Sequence, residues 1–177
     1  MIGKLFAALT AICLTATPVW AETVDLTGLP PGDLGTAAAA GGVTFDSTTN
    51  LVNMSDQYFT ATGGAICASK GTSTNNCRGA YNIRFGGKVS RINLSAAGYQ
   101  PGDGVSLVMY RGKTVIGVSG ASWNGKLDLS NFRRITRIKV TYDGVGDGMA
   151  LGKLSFTRVA ALGGKHGKKP EGKPATH

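Results

Sequence analysis

The chain has 177 residues, 42% of them hydrophobic, with 27 glycines and a formal net charge of +9; that length suits one domain with a real core. Between Thr23 and Gly164 it contains no histidine and no glutamate, which excludes Ser-His-Asp and Cys-His nucleophiles and most catalytic zinc sites from that stretch. Its positive charge favours anionic surfaces or polymers through screened attraction, or serves only to keep the protein soluble.

Residues 1–21 read as a secretory signal: Lys4 gives a basic start, Leu5 to Thr17 an apolar and small-residue run, and Val19-Trp20-Ala21 a cleavage site. Cleavage leaves Glu22 as the first residue of a secreted or periplasmic protein. The run is shorter than the ~20 residues of a transmembrane helix, and no second apolar span follows. Cys13 follows Ile12 inside the run, where a lipobox needs a small residue, so lipidation is not expected.

Residues 22–160 read as one all-β domain, because short alternating runs are divided by Gly-rich turns and helix-period patterns are nearly absent. The expected strands are Glu22 to Leu26, Val43 to Asp46, Leu51 to Met54, Tyr58 to Thr62, Ala80 to Phe85, Val89 to Leu94, Val105 to Tyr110, Lys113 to Val118, Lys126 to Leu129, Arg137 to Tyr142 and Ala150 to Thr157. Thr36 to Ala40, closed by Gly41-Gly42, reads as a turn or loose connection. Arg111-Gly112 and Asn124-Gly125 suit tight hairpins and Pro101-Gly102-Asp103-Gly104 a longer turn. In Arg137 to Tyr142, Ile138, Val140 and Tyr142 fall on one face and Arg137, Lys139 and Thr141 on the other. So many short strands predict two packed antiparallel sheets, a jelly-roll-like sandwich.

Cys67 and Cys77 are an even pair in a chain read as exported, and are expected to form a disulfide; a thiol metal site would need two further ligands. Residues 161–177 carry Lys165, Lys168, Lys169 and Lys173 among Gly and Pro and read as a disordered basic tail.

Leu26-Thr27-Gly28-Leu29-Pro30-Pro31-Gly32, Gly42-Val43-Thr44-Phe45, Ile83 to Leu94 and Met149 to Phe156 together resemble the secreted bacterial β-sandwich domains of the galactose-binding-like, jelly-roll type, found in exported proteins with C-terminal sorting signals. The resemblance implies a closing carboxylate that organises a loop or calcium site. Gly152 stands at the matching position, and no hydrophobic sorting helix ends the chain.

Asp143-Gly144-Val145-Gly146-Asp147-Gly148 is the candidate calcium loop, with Asp143 and Asp147 as ligands, although it has neither EF-hand spacing nor a repeated array. Turn-capping aspartates in a strand connection are the expectation there, and no cofactor is otherwise expected. Trp123 and Tyr99, each beside a turn, are candidate stacking residues for a sugar ring, or else fold over the core edge. Arg133 and Arg134, with Arg137 and Lys139 on the next strand, form a basic cluster suited to phosphate, sulfate or uronate, or an ordinary solvated face. No RNA-binding motif accompanies it, so no specific nucleic-acid partner is expected. The Asn53-Met54-Ser55 and Asn93-Leu94-Ser95 glycosylation triplets carry no weight. The expectation is an exported, non-catalytic module for polysaccharide or cell-surface glycan. A structural or adhesive matrix protein is the alternative, and an aspartate-based glycoside hydrolase comes last.

Overall fold

Alternation of apolar and polar residues along most runs commits the chain to strands with one wet face, and ten strands form among the described residues. The structure, a computed structural model, describes residues 20–54, 64–70, 76–98, 100–122, 125–146 and 148–159. The strands are β1 (Ala21–Thr23), β2 (Gly32–Ala40), β3 (Val43–Asn53), β4 (Ala65–Ala68), β5 (Tyr81–Gly98), β6 (Gly104–Arg111), β7 (Thr114–Ser122), β8 (Lys126–Asp128), β9 (Ile135–Tyr142) and β10 (Met149–Arg158). Every strand pair is antiparallel.

Two layers result, and β5 belongs to both. Its first half pairs with β3 and β9 through Tyr81 to Arg84, and its second half with β10 and β8 through Val89 to Gly98. The first layer therefore runs β2-β3-β5-β9-β6-β7; the second places β5 between β8 and β10, with β4 and β1 along the far edge of β10. Successive segments alternate between the layers, which is the winding of a jelly roll. Sequence divides β5 into Ala80 to Phe85 and Val89 to Leu94, but Gly86-Gly87 lets the backbone turn from one layer to the other without breaking the strand. The two expected strands Val43 to Asp46 and Leu51 to Met54 are likewise one, β3.

The core lies between the layers. Phe45, Ile83, Leu107 and Ile138 from the first and Ile92, Leu94, Leu154 and Phe156 from the second belong to one buried cluster. In β9, Ile138 and Val140 point inward and Lys139 and Thr141 outward, as the alternation requires.

Two further expectations change. Thr36 to Ala40 is strand, paired with Asp46 to Val43 and closed by Gly41 and Gly42 at φ 53° and 70°, the left-handed pair a type I′ hairpin needs. Pairing to β3 overrides the weak strand preference of alanine. The Asn124-Gly125 turn includes Asn124, which lies outside the described residues; among those described, β8 pairs with β5. β4 was not expected at all. The run Tyr58 to Thr62 lies outside the described residues, as do residues 1–19 and 160–177.

Cys67 of β4 bonds Cys77 with a Cα–Cα distance of 5.4 Å, within the usual range. The bridge belongs to a second buried cluster with Val52, Met54, Ala65 and Ala150. At the other end, Glu22 accepts from the Arg158 guanidinium at 2.7 Å, joining β1 to the last strand. Among the described residues no helix is long and apolar enough to cross a membrane.

Candidate functional site

The outer face of the second layer carries the residues that β5, β8 and β10 turn away from the core. Pairing sets Asn93 between Ser155 and Asp128, and Ser95 between Gly152 and Lys126, while Leu94 and Leu127 point inward. Each of the two longer strands inserts one extra residue here. Between Ser90 and Asn93 β5 gains a residue relative to β10, and between Gly152 and Ser155 β10 gains one relative to β5. Such bulges re-aim side chains, and here they hold Arg91 at φ 52° and Lys153 at φ 45°, both exposed.

Beyond β8 the chain is pinned before it reaches β9. Leu129 is fully buried and its N–H donates to the Ile92 carbonyl at 2.8 Å. Phe132 packs where a Cβ on Gly117 would lie, so this position in β7 must lack a side chain. These anchors leave Ser130 and Arg133 facing out beside β5 and β8. Arg134, left-handed at φ 60°, donates its N–H to Ser90 Oγ at 3.2 Å.

Two depressions follow on this face. One of about 400 Å³ is lined by Ser90, Arg91, Asn93, Asp128, Ser130 and Arg133. The second, about 340 Å³, has Leu94 and Leu127 at its floor and Ser95, Lys126 and Lys153 at its sides. Asn93 and Asp128 line both, so they form one open groove with a polar centre. The Asp128 carboxylate accepts the Ser130 N–H at 2.8 Å, and hydrogen bonds from the Ser130 backbone and side chain hold its carboxyl below the usual carboxylate range.

The first layer's outer face is also basic, and one of its cations, Arg84, is ion-paired. A depression of about 480 Å³ is lined by Arg84, Phe85, Gly112, Lys113, Thr136 and Arg137. Arg84 is ion-paired with Asp46, and Asn82 donates to the same carboxylate at 2.8 Å. Burial opposes ionisation of Asp46, yet the Arg84 and Asn82 hydrogen bonds and the charges of Arg84 and Arg137 outweigh it and lower its pKa. The Arg137 guanidinium lies 3.8 Å from the Tyr110 ring centroid, a cation–π contact that occupies that ring. Of the expected basic cluster, Arg133 lines the groove and Arg137 lines the first layer's depression, with Arg134 between them along the chain.

Asp143 is exposed, and its N–H donates to the Gly104 carbonyl at 2.8 Å. Its partner in the calcium expectation, Asp147, lies outside the described residues. Beside the loop, buried Asp103 accepts from the Tyr142 hydroxyl at 2.8 Å and from the Gln100 N–H at 3.0 Å. Tyr142 also donates to the Gly146 carbonyl at 2.9 Å. Burial, then the neighbouring Asp103 carboxylate, raises the Tyr142 pKa. Trp123 and Tyr99 lie outside the described residues, between β7 and β8 and after β5 respectively.

Other aspartates serve local structure. Asp25 accepts from the Thr27 hydroxyl and N–H, which lower its pKa, and Asp33 binds the Gly35 N–H at 2.7 Å and the Asn50 amide at 2.7 Å. The carboxyls of Asp25, Asp46 and Asp128 are all held ionised, the opposite of what a glycosidase general acid requires. Buried Asn53 donates to the Leu26, Leu29 and Pro30 carbonyls and fastens the opening loop. Gly152 is buried between Ala65 and Ser95 in the strand pairing.

Sequence reading missed Arg91, Asn93, Lys126, Asp128, Ser130 and Lys153. Only pairing across three strands assembles them, and no spacing along the chain signals it.

No family model and no curated protein matches the chain. Among solved structures it is similar to variants of family 29 carbohydrate binding modules. One shares 15% identity over 80% of this chain and 87% of its own, with a TM-score of 0.38. Another, complexed with mannohexaose, shares 16% over 80% and 93%, with a TM-score of 0.32. A family 29 module without a stated substitution gives 16%, 80%, 90% and 0.37 in the same order. Likeness at this level assigns no family.

Proposed function

We propose that the chain is an exported, non-catalytic module that binds an extended glycan along the groove on its second layer. One observation carries this: two open depressions share Asn93 and Asp128, so a polar centre of amide and carboxylate continues in both directions along an exposed sheet face. An amide and an ionised carboxylate offer the paired donors and acceptors that sugar hydroxyls require, and an open groove lets a chain run through it. Ser90, Ser95 and Ser130 add hydroxyls on both sides of that centre. Catalysis is not part of the proposal, because residues 23–164 contain no histidine or glutamate and Asp128 is tuned to stay ionised. Residues 1–21 serve as the export signal, and no resident cofactor takes part.

The test is calorimetric titration of the secreted protein with a panel of neutral and acidic polysaccharides, each in calcium and in chelator. At least one glycan is expected to bind saturably, with superimposable isotherms in the two buffers. Asn93→Ala and Asp128→Ala should each weaken that binding about tenfold, the scale of a lost charge-assisted hydrogen bond. Trp123→Ala tests whether the β7–β8 connection adds a stacking contact. Saturable binding that ignores both groove substitutions would overturn the site, and a calcium requirement would move it to residues 143–148.

A further inference from the structure

We infer that the groove is built for an anionic polysaccharide, one bearing carboxylates or sulfates along its length; this rests on the glycan-binding proposal above. Four cations border the groove, Arg91, Lys126, Arg133 and Lys153, against the single carboxylate of Asp128. Among the described residues none of the four makes an ion pair, whereas the first layer's Arg84 is matched by Asp46.

Their placement follows from the register. Lys126 and the bulged Lys153 flank Ser95, and Arg91 and Arg133 border the depression at the opposite end, with the Asn93–Asp128 pair between. Four strand positions separate residues 91 and 95, roughly 13 Å of extended chain, and neighbouring strands lie about 4.8 Å apart. A single small anion cannot meet both cationic ends. A polymer with repeated negative charges can, its hydroxyls meeting Asn93 and Asp128 midway.

The backbone supports this independently. Arg91 and Lys153 adopt the left-handed conformation that glycine takes without steric penalty. Arg134, beside Arg133, does the same, so all three non-glycine residues with positive φ among the described ones are basic, and Arg91 and Lys153 line the groove. Strained positions held by functional side chains mark sites where the side chain matters more than the fold. Nucleic acid fits less well, because none of the described residues lining the groove is aromatic and able to stack a base.

Arg91→Gly and Lys153→Gly separate binding from folding, since each removes a charge while relieving the backbone. The probes are polygalacturonate, a sulfated galactan, a neutral glucomannan and duplex DNA of equal charge, all in chelator. The wild type should bind at least one acidic glycan at least tenfold more tightly than glucomannan, with affinity falling as salt rises. Each glycine variant should lose about tenfold for that glycan while its melting temperature stays level or rises. The two acidic probes tell carboxylate from sulfate. Equal affinity for neutral and acidic glycans, tighter binding to DNA, or full affinity in both glycine variants overturns the inference. Glucomannan binding that is lost in Asp128→Ala leaves the glycan proposal standing while this inference falls; no binding to any glycan overturns both.

Discussion

Phe156→Ala is expected to cost about 3–5 kcal/mol of folding free energy, the range for emptying a fully buried aromatic site. In a domain of this size that lowers the melting temperature by about 10 °C or more. Phe156 is 1% exposed and sits in β10 between β1 and β5. Its ring meets the edge of Phe85, with centroids 5.1 Å apart and planes at 72°, and the Arg158 guanidinium lies 5.3 Å from its centroid. Phe85 is where β5 leaves the first layer, so the pair joins the layers at the point where one strand passes between them. Truncation would leave a cavity that neither layer can close without shifting β5. Val118→Ala on the exposed edge of β7, where Val118 is 61% exposed, should change stability by no more than about 0.5 kcal/mol. Chemical denaturation of both variants checks this; a loss below about 1 kcal/mol for Phe156→Ala would show that the layers pack more adaptably than the core suggests.

The strands were legible wherever one face is wet and the other dry. β6 and β9 show period two because Leu107, Met109, Ile138 and Val140 are buried while Val108 and Lys139 are not. β4 was not legible for the converse reason. Ile66 and Ala68 face the main core, Ala65 and Cys67 the smaller cluster beneath the disulfide, and burial on both faces erases alternation. β2 was hidden by its alanines, whose strand state comes from pairing with β3. The groove was illegible for a third reason. Its cations come from β5, β8, β10 and the 129–134 connection, and two of them face the groove from bulges that exist only once β5 and β10 are paired. Of the cluster that the sequence displays, Arg133 lines the groove while Arg137 lines the first layer's depression.

Gly148→Ala should cost about 2–4 kcal/mol, combining left-handed strain with overpacking. Its φ of 118° is one that side-chain-bearing residues rarely adopt, and a Cβ there would collide with the backbone of Cys77. Gly148 and Cys77 form a parallel bridge, and Cys77 is held in turn by Cys67 of β4. The disulfide therefore helps to fix the Cys77 backbone that a side chain at residue 148 would meet. The glycine closes the loop that sequence offers as a calcium site, and the structure ties it to a covalent clamp. The double replacement Cys67→Ser and Cys77→Ser should cost about 2–3 kcal/mol by freeing the unfolded chain. In that background the segment at Cys77 can move aside, so Gly148→Ala should cost at least about 1 kcal/mol less than in the oxidised protein, a coupling a double-mutant cycle measures directly. Gly112→Ala supplies the contrast. Its φ is 61° with open space around the missing side chain, so only conformational strain of about 1 kcal/mol is expected, unchanged by removal of the disulfide. Strict additivity of Gly148→Ala with loss of the bridge would mean that the two features are independent and that Cys77 is fixed by its neighbours in the smaller cluster instead.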